Sequence, residues 1–132
     1  MLFSVPTEKL KYWFFVNSTN MIQDELIKNI KIIFKSANLV YLNKDYTSAT
    51  ILYFKTLFLI LDFIILKFKG KTPKDHTERF RILQKDYPNL YESLDKYFKI
   101  YRDTYSISID KETCGVIKKY VEKTIKEYRI EV

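Results

Sequence analysis

The sequence predicts an all-α protein, an antiparallel up-and-down bundle of about five helices. Three observations carry this. The 132 residues include only two glycines, Gly70 and Gly115, and three prolines, Pro6, Pro73 and Pro88. Many-stranded folds need tight turns at positive φ, which two glycines cannot supply cheaply. Apolar residues recur at i, i+3 and i+4, the period of a helix face. Gly70, Pro73 and Pro88 fall between those apolar stretches, where chain punctuation is expected. The length fits one domain, with about two-thirds of the unfolded surface buried. A chain that is 47% hydrophobic and 17% aromatic lacks the composition of disorder.

The elements follow in order. Residues 1–20 do not fit the helical pattern and read as an aromatic N-terminal appendage to a bundle spanning 21–132. Within them, Lys11 to Val16 is aromatic and β-prone, suited to packing across the bundle end or to reaching a second subunit. Ile22, Leu26, Ile30, Ile33 and Ala37 then mark one helix face, with Asn20 and Gln23 as a capping pair at its start. The second helix should run from Asp45 to Lys69 and stop at Gly70, a natural residue after a helix end.

This second helix is apolar enough to be tested as a membrane span. Lys55 and Asp62 interrupt it. Each charge at a bilayer centre costs ~2.5–3.5 kcal/mol, so a buried bundle helix is expected and no membrane partner. Lys55 and Asp62 are seven residues apart, share one face, and are candidates for an internal ion pair. The third helix should open with Thr72 as N-cap, Pro73 in the first position and Asp75 as an acid in the first turn, ending near Asp86. The fourth opens at Pro88 and carries Leu90, Leu94, Tyr97, Phe98 and Tyr101 on one side. The fifth has Asp110 as N-cap and an apolar stripe from Thr113 through Ile117, Val121 and Ile125 to Tyr128.

Composition then limits the chemistry. A single cysteine, Cys114, cannot close an internal disulfide, and no Cys/His cluster with zinc spacing exists. No metal or cofactor is expected. No glycine-rich phosphate loop is present. Met1 to Pro6 lack a basic segment and a cleavage site, so a cytoplasmic location is expected. Cys114 lies near a helix N-terminus, where a thiol pKa can fall, but packing is the usual role of a free cysteine.

The net charge is +7, and most of it is concentrated. Between Lys67 and Lys85 seven cations face only Asp75 and Glu78. Such a stretch attracts a phosphate-bearing partner, and equally serves as a solvated, solubilising connector. Lys71, Lys74, His76, Arg79 and Arg81 are the candidate phosphate-binding residues here. His76, Arg79 and Phe80 share a face near a helix start, where an anion is favoured. His76 also suits acid–base chemistry near neutral pH, or a structural hydrogen bond to another helix. Arg102 and Tyr105 are the remaining candidates. Arg102 suits a phosphate through its planar guanidinium, or an ion pair with Asp103.

Three stretches resemble the HEPN domain family (higher eukaryotes and prokaryotes nucleotide-binding). They are Ser36 to Leu39 with Asn43 to Ala49 and Tyr53, then Gly70 to His76, then Tyr101 to Tyr105 followed by Asp110 to Ile125. The resemblance spans roughly residues 21–128 and implies an all-α bundle, usually a homodimer. It further implies association with a minimal nucleotidyltransferase in toxin–antitoxin or defence systems. Active members are metal-independent ribonucleases marked by an arginine followed four to six residues later by histidine. Arg102 matches that arginine, but Ile107, Ser108 and Ile109 stand where the histidine would fall, and none follows. The resemblance therefore implies a non-catalytic module for nucleotide, RNA or a partner protein. The alternative is a divergent ribonuclease using His76 with Arg79 or Arg102.

Overall fold

The computed structural model describes residues 7–132, with side chains apart from those of 14–16. The described residues form five helices: α1 (Thr7–Leu42), α2 (Tyr46–Lys69), α3 (His76–Asp86), α4 (Pro88–Asp103) and α5 (Lys111–Glu127). They pack as a small helical bundle. α2 is its central element and contacts each of the other four helices.

The centrality of α2 explains its composition. Tyr53, Phe54, Leu57, Ile60 and Ile65 are fully buried on several faces of the same helix. The helix is long and apolar enough to cross a membrane, yet 72% of its most apolar window is buried inside the bundle. Asp45 caps it by accepting from the Ser48 amide at 3.1 Å. Gly70 ends it at φ 78°, the left-handed conformation that costs glycine nothing. The buried Thr50 and Thr56 hydroxyls donate to the carbonyls of Tyr46 and Leu52, which satisfies them without outside partners.

The expected helix start near residue 20 is corrected. α1 is one helix of 36 residues, about 54 Å long, and Asn20 and Gln23 lie in its interior rather than at its start. Lys11 to Val16 belong to this helix and are not extended. Residues 1–6 of the expected appendage lie outside the described residues. α2 has 24 residues, so α1 outruns it by about three turns. No described residue before Ile30 is buried, so the N-terminal half of α1 shows no core-facing stripe to read. The link to α2 is a Schellman-type turn, in which Lys44 donates to Tyr41 and Asp45 to Val40, with Lys44 at φ 63°.

α3 also starts later than expected. Its N-cap is Asp75, not Thr72; the Asp75 carboxylate accepts from the Glu78 amide at 2.8 Å. Aspartate is the stronger N-cap of the two, and Pro73 is buried in the connection ahead of the helix. Pro88 opens α4, and Asp110 caps α5 through the Thr113 amide at 2.8 Å, both where the sequence placed them.

Candidate ligand-binding site

Three helices each contribute a pair of residues, spaced by three or four, to one cluster. α2 supplies Phe58 and Asp62, α3 supplies His76 and Arg79, and α4 supplies Phe98 and Tyr101. At this spacing both members of each pair lie on one helix face.

Arg79 is the hub. Its Nε donates to Asp62 Oδ1 at 2.7 Å, and a terminal nitrogen donates to Oδ2 at 3.0 Å. This bidentate pair is nearly closed to solvent; Arg79 is 7% exposed. The guanidinium carbon lies 5.1 Å from the Phe58 ring centroid, adding a cation–π contact. The other terminal nitrogen lies 2.6 Å from His76 Nδ1. Arginine has donors and no acceptor, so Nδ1 accepts and the neutral ring carries its proton on Nε2. Burial, and then the Arg79 charge, lower the His76 pKa below its ordinary value, against the opposing pull of Asp62 and Asp75. The cluster thus holds His76 as a neutral Nε2–H donor.

Aromatic rings frame the histidine. Phe58 meets its ring edge-on at 4.6 Å, with Phe98 at 6.0 Å and Tyr101 at 6.1 Å between centroids. The Tyr101 hydroxyl shares a hydrogen bond of 3.0 Å with the Tyr105 hydroxyl, and that bond raises the Tyr101 pKa. Tyr105 is 76% exposed, so the aromatic run extends from the core to open solvent.

The sequence candidates therefore separate. His76, Arg79 and Tyr105 connect through this cluster, but Arg79 spends its guanidinium mainly inside the fold, as the residue that positions His76. Arg102 is exposed in the last turn of α4, one residue from Tyr101. The alternative of an Arg102–Asp103 pair gives way to another: Asp103 pairs with Lys99 at 3.8 Å. Lys71 and Arg81 lie elsewhere, around a concavity of about 310 Å³ that also includes Lys69, Glu78 and Asp86. There Lys69 and Asp86 are tied at 2.9 Å, and Glu78 lies within 4.0 Å of Lys74 and 3.9 Å of Arg81. The basic stretch is thus partly neutralised by its own helix.

One further expectation changes, and the packing role expected of Cys114 holds. Asp62 pairs with Arg79 rather than Lys55, which is exposed at the rim of the cluster. Cys114 is fully buried, and burial raises its thiol pKa, so it packs rather than reacts. The signal that could have located the cluster was Asp62 itself. A carboxylate in so apolar a helix requires a strong partner, and arginine is the residue suited to a bidentate one.

These features define a class: a small all-α bundle in which a buried Asp62–Arg79 pair holds an exposed histidine beside an exposed tyrosine. Comparisons of the chain with protein-family models, curated proteins and solved structures find no significant match.

Proposed function

We propose that the chain is a non-catalytic, HEPN-like module that binds nucleotide or single-stranded RNA at the rim of the His76 cluster. The observation that carries this reading is the Arg79–His76 hydrogen bond at 2.6 Å. A general base must present an unprotonated nitrogen to the hydroxyl it deprotonates. Here Nδ1 is occupied and Nε2 holds a proton, which suits hydrogen-bond donation to a phosphate or base oxygen. Tyr105 offers a stacking face, and Arg102 with Lys74 supplies charge for phosphates. Following the family resemblance, the module would work in the cytoplasm beside a separate minimal nucleotidyltransferase in a toxin–antitoxin or defence system.

Fluorescence anisotropy with a labelled single-stranded RNA tests this directly. Tyr105→Ala should weaken binding by about 1–3 kcal/mol, the worth of one base–aromatic stack. Arg102→Ala should flatten the log–log salt dependence by about 0.7 per lost phosphate contact. Binding that ignores both substitutions and salt would sink the proposal. Metal-free cleavage of the RNA by the wild type but not by His76→Ala would instead establish the ribonuclease alternative.

A further inference from the structure

A second surface lies between α1 and α5, two helices that contribute nothing to the His76 cluster. Both pack on α2. Three concavities open there, of about 510, 230 and 390 Å³, and Phe34 lines all of them. Asn38 and Leu42 line two. These three residues are spaced by four, so one face of α1 is the common wall of a continuous groove. From Lys31 to Leu42 that wall extends about 16 Å. Lys118, Glu122 and Ile125 of α5 line the other side.

One buried residue of α2 fixes the α1 wall from beneath. The Tyr53 ring lies 6.3 Å from Phe34 and 6.4 Å from Tyr41 between centroids, and its hydroxyl donates to Asn38 Oδ1 at 2.5 Å. Tyr53 is fully buried, which raises its pKa and keeps the hydroxyl protonated. That proton has no other acceptor among the described residues, so Asn38 must present its oxygen. Both Nδ2 hydrogens are then left for an acceptor in the concavities that Asn38 lines. The rim is basic. Lys31, Lys35 and Lys126 line the groove and join no ion pair among the described residues. The one carboxylate in the lining, Glu122, is held by Lys118 at 2.9 Å. Between the lysines stand Leu39 and Leu42, 55% and 74% exposed.

We propose that this groove docks an acidic amphipathic helix of a partner protein. The apolar stripe of such a helix lies on Phe34, Leu39 and Leu42, the mode in which a helix enters an apolar groove. Acids along its edges meet Lys31 and Lys35 on one side and Lys126 on the other, so charge sets both partner and orientation. Asn38 gives two donors to a carboxylate, or to an unpaired carbonyl at a helix end. About three turns of helix match the length of the wall. The lining disfavours nucleic acid, which needs free ring faces to stack its bases. Of the two lining rings, Phe34 packs on Tyr53, and Tyr41 already carries Lys118 Nζ at 5.1 Å from its centroid.

The probe is a fluorescein-labelled peptide of about 14 residues, with leucines on one helix face and glutamates along both flanks. Anisotropy with the full chain should show saturable binding. Lys31→Glu/Lys35→Glu should weaken it by about tenfold or more, because both exposed charges then repel the glutamates. Asn38→Asp still accepts from Tyr53 but turns the outward donor into an acceptor, and should cost about tenfold. Circular dichroism would verify that each variant stays folded. In an NMR titration, amide shifts should concentrate at residues 31–42 and 118–126. A peptide that does not bind, equal binding by a peptide of the same composition with its leucines scattered around the helix, or indifference to both variants would overturn the proposal. So would shifts confined to the His76 cluster. Single-stranded RNA that displaces the peptide and is itself weakened by Lys31→Glu/Lys35→Glu would assign the groove to nucleic acid instead.

Discussion

The His76 cluster and the outward face of α1 use charge in opposite ways. In the cluster, Asp62 and Arg79 are withdrawn from water and satisfied by each other, at 2.7 and 3.0 Å. No buried side-chain polar atom among the described residues lacks a partner. On α1, Asp24 and Lys28 remain hydrated while large apolar side chains flank them. The first region joins its charges across two helices, and the second leaves Asp24 and Lys28 in water. Sequence charge alone does not distinguish the two; what separates them is whether a neighbouring helix presents the complementary group.

The largest expected effect comes from breaking the complete region. Asp62→Ala leaves the Arg79 guanidinium buried without its carboxylate, and such losses cost about 3–5 kcal/mol. Urea denaturation should show the midpoint falling at unchanged slope. The double replacement Asp62→Leu/Arg79→Met should recover much of that loss, because removing both charges leaves no unpaired ion. A single substitution without effect would show that the pair is open to water.

A smaller gain is expected at a position that is neither locked nor completed. Gly115 lies inside α5, and a Cβ added there would meet nothing within 4 Å. Gly115→Ala should therefore stabilise by about 0.5–1 kcal/mol through helix propensity alone. A loss of stability in thermal unfolding would mean that a contact outside the single chain occupies that space.

Ile32→Ala sharpens the comparison from the other side. Ile32 is 50% exposed, so the isolated chain should change by less than about 0.5 kcal/mol. A cost of about 2 kcal/mol or more in urea denaturation would place Ile32 in the core.

Legibility in the sequence follows the same division. α2, α4 and α5 were readable because Asp45, Gly70, Pro88 and Asp110 are local signals that act within a turn of their position. The start of α1 was not, since periodicity records a packing partner and no described residue before Ile30 is buried. The cap of α3 was placed at Thr72 rather than Asp75, because both are suitable cap residues and lie three positions apart. In the site, His76 and Arg79 were legible as a shared face. Their partner was not: Lys55 lies on the same helix as Asp62, whereas Arg79 reaches it from 17 residues away on another helix. Pairing across helices depends on how they dock, which a local spacing rule does not see.

The smallest effect tests the protonation state on which the binding role depends. Burial, followed by the Arg79 charge, lowers the His76 pKa in the folded chain below its unfolded value of about 6.5. Between those two values the unfolded chain binds more protons than the folded one, so stability rises with pH. The contribution is fully present above the unfolded value and is lost as pH falls through the folded one. Protonation would place a proton on Nδ1 and oppose the Arg79 donor at 2.6 Å, which locates the cause. His76→Gln should flatten the stability profile in the window just below the unfolded value of about 6.5, since glutamine does not titrate and its carbonyl can still accept. The carboxylates titrate mostly below that window, so the slope there belongs chiefly to this ring. An NMR titration that placed His76 above its unfolded value would show the ring charged beside Asp62, with Arg79 turned away, and would remove the Nε2–H donor argument at its root.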